Sequence, residues 1–465
     1  ETFVQTTFWT GSPTVGPNPA TDLTAIIGSQ TNVHLNWTDN STDETGFRVE
    51  RKFLWEENWT NLGSTGANTT TYTDTSGSLG EAYNYRIIAF DGSDDGARSN
   101  VVKVQMQPPA EPTDLSVDPY NSTTLTLSWS DNSAGESGFG IDRSTDGTTW
   151  SNVGNTGPDE NVFIDTGLDS GSTFVYRVTA LSALGSSDTS DPGSDTTYEA
   201  TTGKPINIST RGTIGAGDDF IMIAGFVITG NENKDIFIRG IAPSLPITGE
   251  TALLQDPELI LFDGAKNQID FNDNWKDHAR VADTTATGIP PPLDEESAIY
   301  TNLAPGAYTV QMRGADGGVG AGLVEIYEAN PGDDAQLVNI STRGIAGTGD
   351  GLMIAGVIVK GTGNRTLYVR GNGPSLPASL EGRLTDTTLV MRDAAENIVA
   401  ESDNWMDNDN FASIVATTIP PGFPEEAALL VNVPASASGE RYTIELRGAG
   451  GEEGLAIIEI FEVPE

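Results

Sequence analysis

Apolar and polar residues alternate with a period of two along most of this chain. Val33-His-Leu-Asn-Trp37, Leu125-Thr-Leu-Ser-Trp129 and Thr443-Ile-Glu-Leu-Arg447 are typical runs, bounded by clusters of Gly, Asn, Asp and Pro. Successive side chains of a strand point to opposite faces, so this period marks strands with one buried face. Amphipathic helical periodicity is nearly absent. At most a short turn is expected after each Asp-Asn-Trp, around Lys276–Asp283 and Met406–Val415. The pattern predicts an all-β protein.

The pattern is also written twice over. Trp37-Thr-Asp-Asn40 recurs as Trp129-Ser-Asp-Asn132, Gly46-Phe47 as Gly138-Phe139, and Tyr85-Arg-Ile87 as Tyr176-Arg-Val178, a spacing of 91 to 92 residues. In the second half Asn207-Ile-Ser-Thr-Arg-Gly212 recurs as Asn339-Ile-Ser-Thr-Arg-Gly344, and Asp273-Asn-Trp275 as Asp403-Asn-Trp405, a spacing of 130 to 132. Periods this long are domains, since solenoid repeats run about 20–50 residues. Linker-like stretches rich in Pro, Gly or acid fall at 11–19, 107–112, 187–204 and 330–336. The expected organisation is an N-terminal extended strand (1–16), then four tandem β-sandwich domains at 17–106, 108–200, 204–329 and 336–465. Each is long enough to bury a core.

The first two modules resemble fibronectin type III domains over their full length. The matching features are a Pro-led start (Pro19-Ala-Thr-Asp-Leu23; Pro112-Thr-Asp-Leu115), a Trp ending the second strand, and Tyr83-Asn-Tyr-Arg-Ile87 with its counterpart Phe174-Val-Tyr-Arg-Val178. The resemblance implies a two-sheet sandwich with the Trp between the sheets. It implies little about function, because such domains serve as spacers, adhesion modules and enzyme appendages. The last two modules resemble a repeat common in secreted proteins of environmental bacteria. It reads Asn207–Gly212, a Gly-Asp turn, Ile238-Arg-Gly-Ile-Ala-Pro-Ser-Leu245, Asn272-Asp-Asn-Trp275, Pro305–Gly314 and Gly322–Glu328. Its closing strands also resemble calcium-assisted jelly-roll modules appended to secreted peptidases. That resemblance implies a jelly-roll-like sandwich of eight or nine strands per copy.

Acidic residues outnumber basic ones 66 to 24, a net charge of −42. The excess is even: residues 1–203 carry 28 acidic and 8 basic groups, leaving 38 and 16 for the rest. Such a surface repels nucleic acid and anionic lipid and attracts cations, so neither nucleic-acid binding nor membrane insertion is expected. No run of about 20 apolar residues is present to span a bilayer. With no cysteine, thiol chemistry and Cys-ligated zinc are excluded. The wealth of Thr, Ser, Asn and Gly, few Lys, and a start at Glu1 without a signal peptide suggest the mature form of a secreted, cell-surface protein.

Catalytic material is sparse. His34 and His278 are the two histidines, and neither has a twin in its sister module. No HExxH or GxSxG pattern occurs. The glycine-rich stretches 212–217 and 344–349 lead into apolar strands, so they are expected to be tight turns and not phosphate loops. Glu295-Glu296 and Glu425-Glu426 are paired in both copies, but neighbours on a strand face opposite ways and do not make a glycosidase acid/base pair.

Asp263, Asp273, Asn274 and Asp277 are matched by Asp393, Asp403, Asn404 and Asp407. If a hairpin at Asp263-Gly264 crowds these hard oxygen ligands on one rim, the set suits calcium, which takes six to eight such ligands in flexible geometry. The competing expectation is that they cap turns beneath Trp275 and Trp405.

Residues 1–10 belong to no repeat. Phe3, Val4, Phe8 and Trp9 lie among Thr and Gln as in a strand, and large aromatics are poorly held by a free tail. Such a segment either folds back on its own chain or adds to a neighbour's open sheet. The leading functional expectation is a non-catalytic, structural or adhesive surface protein, the subunit of a homopolymeric filament joined by Phe3–Trp9. The alternative is a carbohydrate-binding accessory region that recognises polysaccharide through Trp55, Trp59 and Trp150.

Overall fold

The computed structural model describes residues 16–133, 135–247, 252–329 and 336–464. The expected N-terminal strand, with Phe3, Val4, Phe8 and Trp9, lies outside the described residues. The chain divides into two compact units. One holds residues up to Ser116, Ser128–Val162 and Val175–Ser194; the other holds Val117–Leu127, Phe163–Phe174 and the chain from Asp195.

In the first unit the first fibronectin-like module runs β1 (Thr21–Ile27), β2 (Val33–Thr38), β3 (Gly46–Phe53), β4 (Thr60–Gly66), β5 (Thr71–Asp74), β6 (Ala82–Asp91), β7 (Asp94–Arg98) and β8 (Val102–Gln105). Strands β1, β2 and β5 form one sheet and the other five form the second. The period-two pattern of β2 turns Val33, Leu35 and Trp37 inward onto Phe47, Val49, Tyr83, Tyr85 and Ile87 of the facing sheet. Trp37 meets Phe47 with ring centroids 5.6 Å apart. The repeated Gly-Phe has a steric reason. A Cβ on Gly46 would strike the Thr65 carbonyl, and one on Gly138 the Thr156 carbonyl, the latter at φ 140°.

The second module has β9 (Thr113–Asn121), β10 (Thr124–Ser130) and β13 (Val162–Thr166) in one sheet. The other sheet contains β11 (Gly138–Ser144), β12 (Ser151–Thr156), β14 (Thr173–Ser182), β15 (Gly185–Thr189) and β16 (Gly193–Thr196). Leu184, in the β14–β15 turn, is buried in the core of the first module, and Gln30 Nε2 donates to its carbonyl at 3.3 Å.

In the second unit the first repeat supplies β17 (Lys204–Ile214), β18 (Met222–Thr229), β19 (Lys234–Ile241), β20 (Pro257–Asp263), β21 (Gln268–Asn272), helix α1 (Val281–Ala286), β22 (Ser297–Leu303), β23 (Gly306–Gly314) and β24 (Gly320–Glu328). The second supplies β25 (Gln336–Ala346), β26 (Met353–Lys360), β27 (Asn364–Asn372), β28 (Thr387–Arg392), β29 (Ile398–Ser402), α2 (Phe411–Ala416), β30 (Ala427–Pro434), β31 (Glu440–Gly448) and β32 (Gly454–Glu462). Each copy is an eight-stranded jelly roll, ordered β17-β24-β19-β22 and β18-β23-β20-β21 in the first and likewise in the second.

The two jelly rolls are fused. β17 pairs with its own β24 on one side and with β26 of the sister on the other, while β25 pairs with β32 and with β18. Both layers thus run without a break from one copy into the next. A single core draws on both copies, from Ile208, Phe226 and Val324 to Ile340, Val357 and Ile458. At the pseudo-two-fold centre Thr210 Oγ1 bonds Thr342 Oγ1 at 2.9 Å, both side chains being buried. The repeated Asn-Ile-Ser-Thr-Arg-Gly is the strand that makes this junction.

Candidate functional site

The other repeated motifs converge at the outer end of each jelly roll, where the outermost strands have no further partner strand to satisfy them. In the first copy the Asn272 Oδ1 accepts from Ala298 N on edge strand β22 at 2.8 Å, and Trp275 N donates to Glu296 O at 2.8 Å. In the second copy Asn408 and Asn410 donate to the carbonyls of Ala428 and Leu430 on β30. Each Asp-Asn-Trp is followed by a 3₁₀ turn and a six-residue helix, α1 or α2, in agreement with the short turn expected. This insertion covers an edge that would otherwise recruit another strand.

Glu296, fully buried, is the centre of that closure. Its Oε1 accepts from Ala242 N at 3.1 Å, Ser244 N at 3.2 Å and Ser244 Oγ at 2.6 Å, and its Oε2 from Leu293 N at 3.1 Å. Trp275 Nε1 donates to Leu293 O at 3.0 Å. Glu426 repeats the arrangement with Gly373, Ser375, Gly422 and Phe423. The neighbouring Glu295 and Glu425 are exposed, so each acidic pair splits between core and solvent; both pairs lie in the turn before β22 or β30 and not in a strand, so the turn and not strand alternation parts them.

The proposed ligand set does not gather as expected. Asp263 stands in the tight turn of the β20–β21 hairpin. Its carboxylate accepts from Ala265 N and Asn267 N at 2.9 and 2.8 Å and from Asn267 Nδ2 at 2.9 Å. Asp393 does the same with Ala395 and Asn397. These bonds hold both carboxyls below the usual range. The register pairs Leu259 with Asn272, which puts Asp273 at the opposite end of the hairpin. A strand of this length separates the two by roughly 15 Å. Asp263 and Asp393 are turn caps.

Asp273 instead meets Asp256, at the start of β20. Burial first, and then the Asp256 and Glu258 carboxylates, push the Asp273 carboxyl up. Its Oδ2 accepts from Asn274 Nδ2 at 3.1 Å, while Asp273 Oδ1 and Asp256 Oδ1 are buried without a hydrogen-bond partner. In the second copy burial, Asp403 and Glu425 push Asp386 up, and Asp386 Oδ1 is likewise orphaned. The two orphaned oxygens are hard donors and would supply two of the six to eight that a calcium ion takes. Asp277 is close enough to act on Asp273; Asn404 Nδ2 lies 3.4 Å from Asp407 Oδ2. Asp256 and Asp386, the partners of this pair, carried no sequence signal beyond their recurrence at a spacing of 130.

Three carboxylates do approach within 4.8 Å of one another elsewhere: Asp131, Glu136 and Asp159. Buried Glu136 accepts from Ser133 Oγ at 2.7 Å, Gly135 N at 3.0 Å and Asp159 N at 3.2 Å, and these bonds pull its carboxyl down to about 2. The first module repeats the device, with Asn68 N donating to Glu44 Oε1 at 2.9 Å and both Asn68 and Asp159 at φ 57°. The recurring Asp39-Asn-Ser-Thr-Asp-Glu44 and Asp131-Asn-Ser-Ala-Gly-Glu136 is the sequence signal for this loop clasp.

The histidines are structural. His34 Nδ1 pairs with Thr73 Oγ1 at 3.0 Å on an exposed strand face; buried His278 lies between Asp270 and Arg280 N. The tryptophans differ among themselves. Arg86 covers Trp59 at 4.1 Å and Arg177 covers Trp150 at 4.4 Å, so neither offers an open stacking face on that side. Trp55 is 66% exposed and backed by Phe53 at 4.8 Å.

The module containing β9–β16 matches the fibronectin type III domain model over residues 110–196. Among solved structures, the chain is similar to the crystal structure of chicken CNTN1 FN1-FN3 domains, with 20% identity over 40% of this chain and 69% of that one at a TM-score of 0.25. A two-domain fibronectin type III segment from chicken tenascin has 14% identity over 39% of this chain and 99% of that one, at a TM-score of 0.20. The fibronectin type III fold is commonly a structural or adhesive module and is typically non-catalytic. Among the described residues, no helix is long and apolar enough to cross a membrane.

Proposed function

We propose that this protein is a non-catalytic, secreted bacterial surface protein with a structural role, and that it is the subunit of an extracellular filament. Residues 3–9 of one copy add as a strand to the next. The observation that supports this reading is the commitment of the repeated motifs to the fold. Asn-Ile-Ser-Thr-Arg-Gly joins the two jelly rolls, Asn-Asp-Asn-Trp and Glu296 close their ends, and Gly-Phe and Asp-Asn-Ser serve the fibronectin-like modules. The apolar segment Phe3–Trp9 belongs to none of these repeats, and head-to-tail contacts made by such a segment propagate into fibres. Deleting residues 1–10 is expected to leave the melting temperature within a few degrees of wild type and to yield monomers by light scattering. A full-length protein that stays monomeric at high concentration would end the reading.

Calcium enters as a stabiliser of the filament body, held by Asp256 with Asp273 and by Asp386 with Asp403. Chelation is expected to lower the melting temperature, and added calcium to restore it by mass action. Asp273→Ala with Asp403→Ala should abolish the response; identical melting curves with and without chelator would exclude the ion. The polysaccharide reading rests on Trp55 alone, since Trp59 and Trp150 are roofed by arginines. It requires that Trp55→Ala abolish polysaccharide pull-down.

A further inference from the structure

We infer that the outer face of the β20–β21 hairpin in the first jelly roll receives the Phe3–Trp9 segment of a second copy, laid as an added strand along the free edge of β21. The inference rests on the filament reading and names its acceptor.

Among the described residues β21 pairs only with β20, so its other edge has no strand partner, and an added strand would displace Asp270 Oδ1 from Phe271 N, which donates to it at 2.8 Å. Asp270 and Asn272 turn inward, toward His278 and Ala298. Ile269 and Phe271 therefore face outward, and they are 44% and 42% exposed. On the same outer face Ile260 lies directly opposite Phe271, with Phe262 two residues further along β20. Ile269 and Phe271 are exposed, with half-buried Phe262 beside them and Ile260 buried beneath, so an apolar patch lies beside an edge with no strand partner, the combination that strand-adding partners use.

The sister jelly roll is an internal control. In the same register Val390 faces Glu401, Arg392 stands where Phe262 does, and Val399 where Ile269 does. The fold accepts two charges at these positions, so an apolar surface there is not a requirement of folding.

The choice of occupant follows from charge. Any folded surface of a second copy belongs to a chain of net charge −42, and the hairpin is itself flanked by Asp263 and Asp273. Residues 2–21 carry no charge at all. In an added strand Phe3 and Trp9 share one face and Val4 and Phe8 the other, so either face extends the apolar patch without bringing carboxylates together.

The test uses the full-length chain with a photo-crosslinking phenylalanine analogue at position 8, alongside Phe271→Glu and Phe8→Asp. We expect crosslinks to β20–β21 of a second copy. Phe271→Glu should raise the concentration needed for assembly at least tenfold, as Phe8→Asp does, with an unchanged melting curve. Ile269→Thr, a neutral change, should raise it several-fold and guards against a folding defect in the glutamate variant. If Phe8→Asp blocks assembly while Phe271→Glu and Ile269→Thr assemble normally, or if crosslinks fall elsewhere, this acceptor is wrong and the filament reading survives. If deletion of residues 1–10 leaves assembly unchanged, or wild type never assembles, both fail.

Discussion

A buried carboxyl group needs hydrogen-bond partners to replace its lost water. Glu296, Glu426 and Glu136 each have several donors, which is why acidic residues in an acidic protein sit inside loops as well as on the surface. The same rule sets apart Asp256 and Asp273, whose facing oxygens have no donor between them. Glu136 gives the clearest consequence. Its folded value of about 2 lies below the ordinary 4.5, so the ionised form binds the fold. That stabilisation is complete above about pH 4.5 and is lost as pH falls toward about 2. Glu136→Gln is expected to lower stability near neutral pH by about 1–3 kcal/mol, the cost of weakened or unsatisfied buried donors. The gap from wild type should close as pH falls through that window, as denaturant titrations at several pH values will show. A gap that stays constant down to pH 2 would mean that the charge contributes nothing.

At the scale of single elements, the strand carrying Asn-Ile-Ser-Thr-Arg-Gly does more than its composition suggests. Thr210 and Thr342 hydrogen-bond each other in the buried centre of the fused core. Replacing one by Val strands the other hydroxyl at a cost of about 1–3 kcal/mol, whereas replacing both removes donor and acceptor together. Thr210→Val and Thr342→Val are therefore expected to destabilise singly and to be less than additive together, and a double-mutant cycle in urea measures the coupling. Strict additivity would refute the contact. Period-two alternation made the strands legible in advance, and the hairpin at Asp263 and the turns after each Asp-Asn-Trp were legible too. The pairing of β17 with β26 was not. Alternation says which face of a strand is buried, but the strand's edge, and hence its neighbour, is set by backbone bonds that leave no trace in residue type. The same blindness placed Asp263 beside Asp273. The hairpin was read correctly, yet the length of its arms keeps the two apart, and Asp256, the true neighbour of Asp273, is at the far end of the other arm.

At the scale of the whole molecule, fusion of the jelly rolls changes what a local lesion does. Separate beads would confine damage to one bead, but a core that includes residues of both copies ties their stabilities together. Glu296→Ala tests this in the intact chain. It removes the acceptor for Ala242, Ser244 and Leu293 donors in the first copy. With about 1–3 kcal/mol lost for each buried donor left unsatisfied, the total is expected to exceed about 3 kcal/mol. If β17, β26, β18 and β25 hold the copies as one cooperative body, amide exchange should accelerate in β27 and β32 of the second copy as well as in β19 and β22 of the first. Glu426→Ala should act in the reverse direction by a similar amount. Hydrogen-exchange mass spectrometry of the two variants resolves peptides from each copy. Acceleration confined to the mutated copy would mean that the continuous sheets join two independently stable domains, and that a filament built from them bends at that seam.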